Sequence, residues 1–159
     1  MNEPEITSTS IQDQRRIAYH EAGHVVAAVR LKVPFMHVVV NGDTGSEVVV
    51  GVTPLDDKDS SESSEKMRHW QQFYAAGAAS EELLFGNYIP HASSRDRREH
   101  DAYEKRSHAP RVDGWDQDIA ATVAVLDRES VKFVARELKE RGRLEEDQVY
   151  EILNCDPPW

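Results

Sequence analysis

No proline interrupts the chain between Gln12 and Leu31, and Lys32-Val33-Pro34 ends the run, so this stretch is predicted to form one long helix. Ser10-x-x-Asp13 has the form of a capping box at its start. Ile17, Ala18, Tyr19, Ala22, Val25, Val26, Ala27, Ala28, Val29 and Leu31 leave the helix almost no polar face, which predicts burial on most sides. Yet its middle carries His20, Glu21 and His24. Successive helical residues are rotated by about 100°, so the two histidines stand on one face, one turn apart, as two ligands of one metal ion would. Glu21 then points to the side of that ion, where a carboxylate can take a proton from a water that zinc has acidified. The pattern His-Glu-x-x-His therefore reads as a hydrolase signature, with His20 and His24 as metal ligands and Glu21 as the general base. The alternative is a set of core histidines with Glu21 paired to one of them. Burying all three groups without an ion costs several kcal/mol unless each finds a partner.

The chain of 159 residues is long enough for one domain with an ordinary core, and a single domain over 1–159 is expected, its core spanning about 12–153 between tails at 1–10 and 154–159. The net charge of −10 disfavours nucleic acid and acidic membrane surfaces as partners. The first residues show neither a basic nor an apolar leader segment, and the apolar runs are too short to cross a bilayer. Cys155 is the sole cysteine and cannot form an internal disulfide, which suits a reducing compartment. A cytoplasmic protein without membrane insertion is the expectation.

Beyond the first helix, Met36-His37-Val38-Val39-Val40 and the run from Glu47 to Thr53 are rich in β-branched residues and flank a turn-rich connector, which predicts a hairpin. Asp56 to Ser64 reads as a solvated loop in which Asp59-x-x-Glu62 could cap the next helix. That helix is predicted from Glu65 to Phe85, stopped by Gly86-Asn87. Gly77, inside its small-residue segment, costs helix propensity, and this makes sense where another helix, here the one bearing His20, approaches closely. Residues 87–113 are charged and irregular, partly helical at most, with His91, His100 and His108 expected mostly in solvent. Further helices are predicted at about 115–126, 130–141 and 145–153. The fold class is thus mainly α (α+β), a compact helical domain with one small β-hairpin. No phosphate-binding loop of the GxxxxGK type occurs.

A catalytic zinc ion takes three protein ligands, so one more His, Asp or Glu must come from elsewhere, and periodicity alone does not choose it. The run Arg16-Ile17-Ala18-Tyr19-His20-Glu21-Ala22-Gly23-His24-Val25-Val26 resembles the active-site helix of the FtsH-type membrane AAA+ metalloproteases. Ala76-Gly77-Ala78-Ala79-Ser80-Glu81-Glu82-Leu83-Leu84-Phe85-Gly86 is similar to the GGRAAEExxFG helix of that family, with Ala76 and Ala78 in place of its first Gly and its Arg. Gly114-Trp115-Asp116-Gln117-Asp118-Ile119 resembles its GASNDL segment, although Trp115 and Asp116 replace the small residues ahead of the Asp. Together these motifs cover roughly residues 15 to 153.

On this resemblance Asp118 is the third metal ligand and the cofactor is Zn²⁺. Glu81 and Glu82 are the next-best carboxylates, and one of them could orient a ligand histidine from behind; a pair on the helix surface is the competing role. The resemblance also makes Val48, Val49, Val50 and Gly51 part of an edge strand to which an extended peptide adds through backbone hydrogen bonds; packing in the core is the competing role for these valines. The family joins its peptidase to an ATP-driven unfoldase and membrane helices, and this chain shows neither pattern. The implied activity is that of a zinc endopeptidase acting on unfolded protein or peptide, with a separate ATPase as a conceivable partner. A zinc-binding interaction module without turnover is the alternative.

Overall fold

The computed structural model describes residues 8–42, 45–51, 53–55 and 63–157. Among them are helices α1 (Ser8–Leu31), α2 (Ser64–Phe85), α3 (Ser94–Arg106), α4 (Gly114–Val125), α5 (Arg128–Arg141) and α6 (Glu146–Ile152), and a sheet of β1 (His37–Gly42), β2 (Gly45–Val49) and β3 (Arg143–Glu145) that packs on α1, α5 and α6. The domain is mainly helical with a small antiparallel sheet, as the sequence predicts.

Helix α1 is the central rod, and Ala22, Val25, Val26, Ala27 and Ala28 are fully buried along it. It already includes Ser8 and Ser10, so Ser10-x-x-Asp13 lies within the helix rather than at its start. Helix α2 packs along it through small residues. A side-chain carbon on Gly23 would collide with Ser80 and approach the Ala76 carbonyl to 2.7 Å, so only glycine allows the two backbones to come this close. The Ser80 hydroxyl fastens the crossing by donating to the Tyr19 carbonyl at 2.6 Å. At its C-terminal end α2 behaves as its sequence predicts, whereas the cap at its start is Ser63, which was not foreseen. Ser63 accepts from the Lys66 N–H at 3.2 Å, and Gly86 takes the left-handed conformation, φ 81°, that stops the helix. The proposed Asp59-x-x-Glu62 cap lies outside the described residues.

In the sheet β1 is central, with order β2-β1-β3. Val38 faces Val48 on one side and Leu144 on the other, and Val38 and Leu144 are fully buried. β2 is left at an edge. It ends at Val49, short of the predicted Thr53, so Val50 and Gly51 follow the strand rather than belong to it. β3 was not foreseen, because three residues contain too little alternation to be recognised.

The element least marked in the sequence is α3. Within the charged stretch 87–113, expected to be partly helical at most, residues 94–106 form a regular helix. Charged residues such as Arg, Glu and Lys are good helix formers, but α3 has almost no apolar stripe for periodicity to detect. Helix α5 is the opposite case, with Val131, Val134 and Leu138 fully buried along one face and Gly142, φ 75°, at its end. No helix among the described residues is long and apolar enough to cross a membrane.

Candidate metal centre

His20 and His24 project from the middle of α1 toward α2, and each is held by its Nδ1 atom. His24 Nδ1 donates to the Phe73 carbonyl at 2.8 Å, and His20 Nδ1 donates to Glu81 Oε2 at 2.9 Å. These bonds fix the ring orientations and leave both Nε2 atoms facing the same point, as the hydrogen-bond acceptors behind metal-bound imidazoles do. The two Nε2 atoms are 3.2 Å apart. Asp96 Oδ2, from the first turn of α3, lies 3.1 Å from each of them.

The three atoms form a nearly equilateral triangle. A tetrahedral zinc ion with ligand distances of about 2.0–2.1 Å keeps its donor atoms about 3.3–3.4 Å apart, so the donor set fits zinc with only a slight opening. Gly77 of α2 keeps the space beside the triangle clear. A side-chain carbon there would collide with His20 Nε2 and lie 2.6 Å from His24 Nε2. The close approach inferred from Gly77 is therefore present, and it serves the imidazoles themselves.

The electrostatics also call for a cation. Burial disfavours a charged His20, but hydrogen bonds to Asp96 and Glu81 and the nearby Glu21 carboxylate outweigh it and push its pKa up to about 10. His24 is shifted upward in the same way, burial being overcome by Asp96. Asp96 moves oppositely: burial would raise it, yet the two imidazoles hold it well below the usual carboxylate range. Positive charge is thus favoured at this point, and a proton supplies it when no metal ion does.

Glu21 is 7% exposed, and burial raises its pKa against the pull of His20 and His24. Among the described residues nothing donates a hydrogen bond to its carboxylate, so it is free to accept one from a small molecule. It borders a cleft of about 350 Å³ whose floor is His20, His24 and Asp96 and whose wall includes Glu47, Val48, Val50 and Gly51. His20 and Glu21 also border an adjoining hollow of about 540 Å³ lined by Ile17, Ile89 and Ala92.

Of the residues singled out from sequence, His20, Glu21 and His24 come together in this cleft, with Glu81 behind His20. Glu81 is the one of the two α2 carboxylates that orients a histidine; it also accepts from Arg16 Nε at 3.2 Å. Glu82, one residue further round the helix, is only half-buried and does not reach the imidazoles. Val48, Val50 and Gly51 line the cleft, whereas Val49 does not, as expected from the alternation of a strand.

Asp118 requires a correction, because the third position beside the imidazoles is taken by Asp96. Asp118 is 1% exposed and belongs to a second cluster. There Arg111 grips it in bidentate fashion, at 3.2 Å to Oδ1 and 2.7 Å to Oδ2, and His100 Nε2 meets Oδ2 at 2.6 Å. The Asp118 carboxylate thus belongs with His100, Glu104 and Arg111 and is not grouped with the imidazoles of α1. His100 departs from expectation too. It is fully buried, while His91 and His108 are exposed as predicted.

A signal for Asp96 was present in the sequence. The small residues expected ahead of the third ligand, and missing at Trp115 and Asp116, stand at Ala92-Ser93-Ser94, shortly before Asp96. The charged surroundings obscured them. No protein-family model matches the chain, and no curated protein matches it.

Proposed function

We propose that this chain is a zinc-dependent endopeptidase of the FtsH type, acting on peptides or unfolded protein, with His20, His24 and Asp96 as ligands. The observation that carries the reading is the triangle of His20 Nε2, His24 Nε2 and Asp96 Oδ2 at 3.1–3.2 Å, set beside a buried Glu21 on the floor of an open cleft. A zinc ion held by these residues would supply Lewis acidity, able to acidify water and polarise a carbonyl.

The chain's own residues do the rest. Glu21, unbonded and poised by burial, accepts the proton of the attacking water and later gives it to the leaving amine, so the same carboxylate is base and then acid. Glu81 and the Phe73 carbonyl, bonded to Nδ1 of His20 and His24, hold the rings so that both Nε2 atoms face one point. The edge strand β2 offers backbone groups along the cleft, and an extended substrate pairing with it would be read by shape more than by sequence. Nothing in this geometry calls for ATP in the hydrolytic step; any unfolding of a folded substrate would fall to a separate ATPase. A cytoplasmic setting agrees with the single cysteine and the acidic composition.

The test is hydrolysis of unfolded casein by zinc-loaded wild type and by Glu21→Gln. Cleavage is expected to drop by about 10²–10⁴-fold in the variant while zinc content is unchanged. Equal cleavage by both proteins would remove Glu21 from the mechanism. A zinc-loaded wild type that cleaves nothing in a broad peptide library would instead mark a metal-binding interaction module.

A further inference from the structure

Asp96 must be held in place by α3, yet α3 has little apolar surface with which to dock. Among its residues only His100, Tyr103 and Glu104 are buried. Asp96, His100 and Glu104 follow one another at intervals of four and so share one face of the helix. His100 Nε2 is bonded to Asp118 Oδ2 at 2.6 Å, and Arg111 Nη2 joins Asp118 Oδ2 to Glu104 Oε1 at 2.7 and 2.8 Å. From α2, Gln71 Nε2 donates to Glu104 Oε1 at 3.1 Å and to the His100 carbonyl at 3.3 Å. Apart from the two ligand histidines, no described residue hydrogen-bonds to the Asp96 carboxylate. Its position is therefore inherited from the helix that carries it.

We infer that Asp118 and His100 are positioning residues, which lock α3 to α4 and thereby hold Asp96 against His20 and His24. This rests on the metal reading above. In it Asp118 touches neither ion nor substrate; its carboxylate is the hub that α3 docks on, with Arg111 supplying the compensating charge. A ligand held on a loosely docked helix binds its ion weakly even though the ligand itself is intact.

Cobalt(II), which reports coordination through its visible spectrum, is the probe. Wild type is expected to bind it with the intense bands of a tetrahedral site. His100→Leu, which fills the space but offers no donor, and Asp118→Asn should each bind cobalt about tenfold more weakly or worse, with bands altered as in Asp96→Asn, while circular dichroism shows a folded chain. His100→Gln, able to present an N–H to Asp118, should recover much of the affinity. A purely structural role would lower the melting temperature but leave the affinity and bands of the folded variants at wild-type values, and that result would overturn the assignment. Should Asp118→Asn fail to fold, the contrast between His100→Leu and His100→Gln decides. Absence of cobalt binding in wild type would remove the metal reading and this assignment together, whereas wild-type binding with unaffected variants removes only the positioning role.

Discussion

Helix α3 contributes to two clusters of nearly the same chemistry, His20–His24–Asp96 and His100–Glu104–Asp118. Each gathers imidazole and carboxylate atoms within a few ångströms. They differ in where the positive charge comes from. The second contains its own cation, the Arg111 guanidinium, which pairs with both carboxylates. In the first, no arginine or lysine among the described residues bonds to Asp96 or to either imidazole, the Nε2 atoms turn to one point, and the group opens into a cleft that Arg95 also lines. A cluster that carries its own counter-charge holds the fold together; one that lacks it can recruit a metal ion. Donor atoms in proximity are therefore a poor guide until the cations around them have been counted.

The sharpest way to break this comparison is to disable each cluster in turn. His24→Ala should reduce zinc from about one ion per chain to none, as read by elemental analysis, with the fold retained. Arg111→Met should act mainly on the fold, losing about 3–5 kcal/mol of stability in urea titration, because Glu104 and Asp118 are left buried without their partner, while the ion is bound more weakly but not abolished. Comparable zinc loss in both would erase the distinction.

A smaller effect is expected of Gly77→Ala. The added methyl would press on both imidazoles, costing about 1–3 kcal/mol of stability and weakening zinc in a competition assay with a chelator. Wild-type affinity in that variant would show that the space beside Nε2 is not needed.

The protonation states give a further contrast. His20 is raised from 6.5 to about 10 in the ion-free protein, so zinc must displace a proton near neutral pH and its affinity should fall as pH falls. Calorimetry in two buffers of different ionisation enthalpy measures that release. Without the ion the sign is opposite. A folded pKa above the unfolded one stabilises below about pH 6.5, and the contribution is lost as pH rises toward 10. The smallest change concerns a residue in neither cluster. Asp127 caps α5 by accepting from the Glu129 N–H at 3.1 Å, and Asp127→Ala should cost about 1 kcal/mol without altering zinc binding. Its bond with the Ser130 hydroxyl lowers its pKa, so the cap's contribution is present at neutral pH and is lost as pH falls through the depressed value.

What the sequence revealed follows from the range of the forces involved. Helix α1 was legible because a long run without proline is apolar on most sides, α5 because apolar residues recur along one face, and the end of α2 because Gly86 acts locally. His20, Glu21 and His24 were legible because one helical turn brings them together. Gly77 was informative for a similar reason, since a glycine in a helix interior signals a close neighbour. Helix α3 was not legible, being docked by hydrogen bonds and ion pairs that leave no periodic trace. Asp96 and Asp118 are chemically alike and both lie on helices after the Gly77 segment. Only the tertiary position of Arg111, seven residues before Asp118, shows which carboxylate is already occupied.

The claim that Asp96 completes a zinc site is tested most directly by crystals grown with zinc, with anomalous data collected at its absorption edge. The account predicts one strong peak about 2.0–2.2 Å from Asp96 Oδ2 and from the Nε2 atoms of His20 and His24. A peak within that distance of Asp118, or none at the triangle in zinc-saturated crystals, would contradict it.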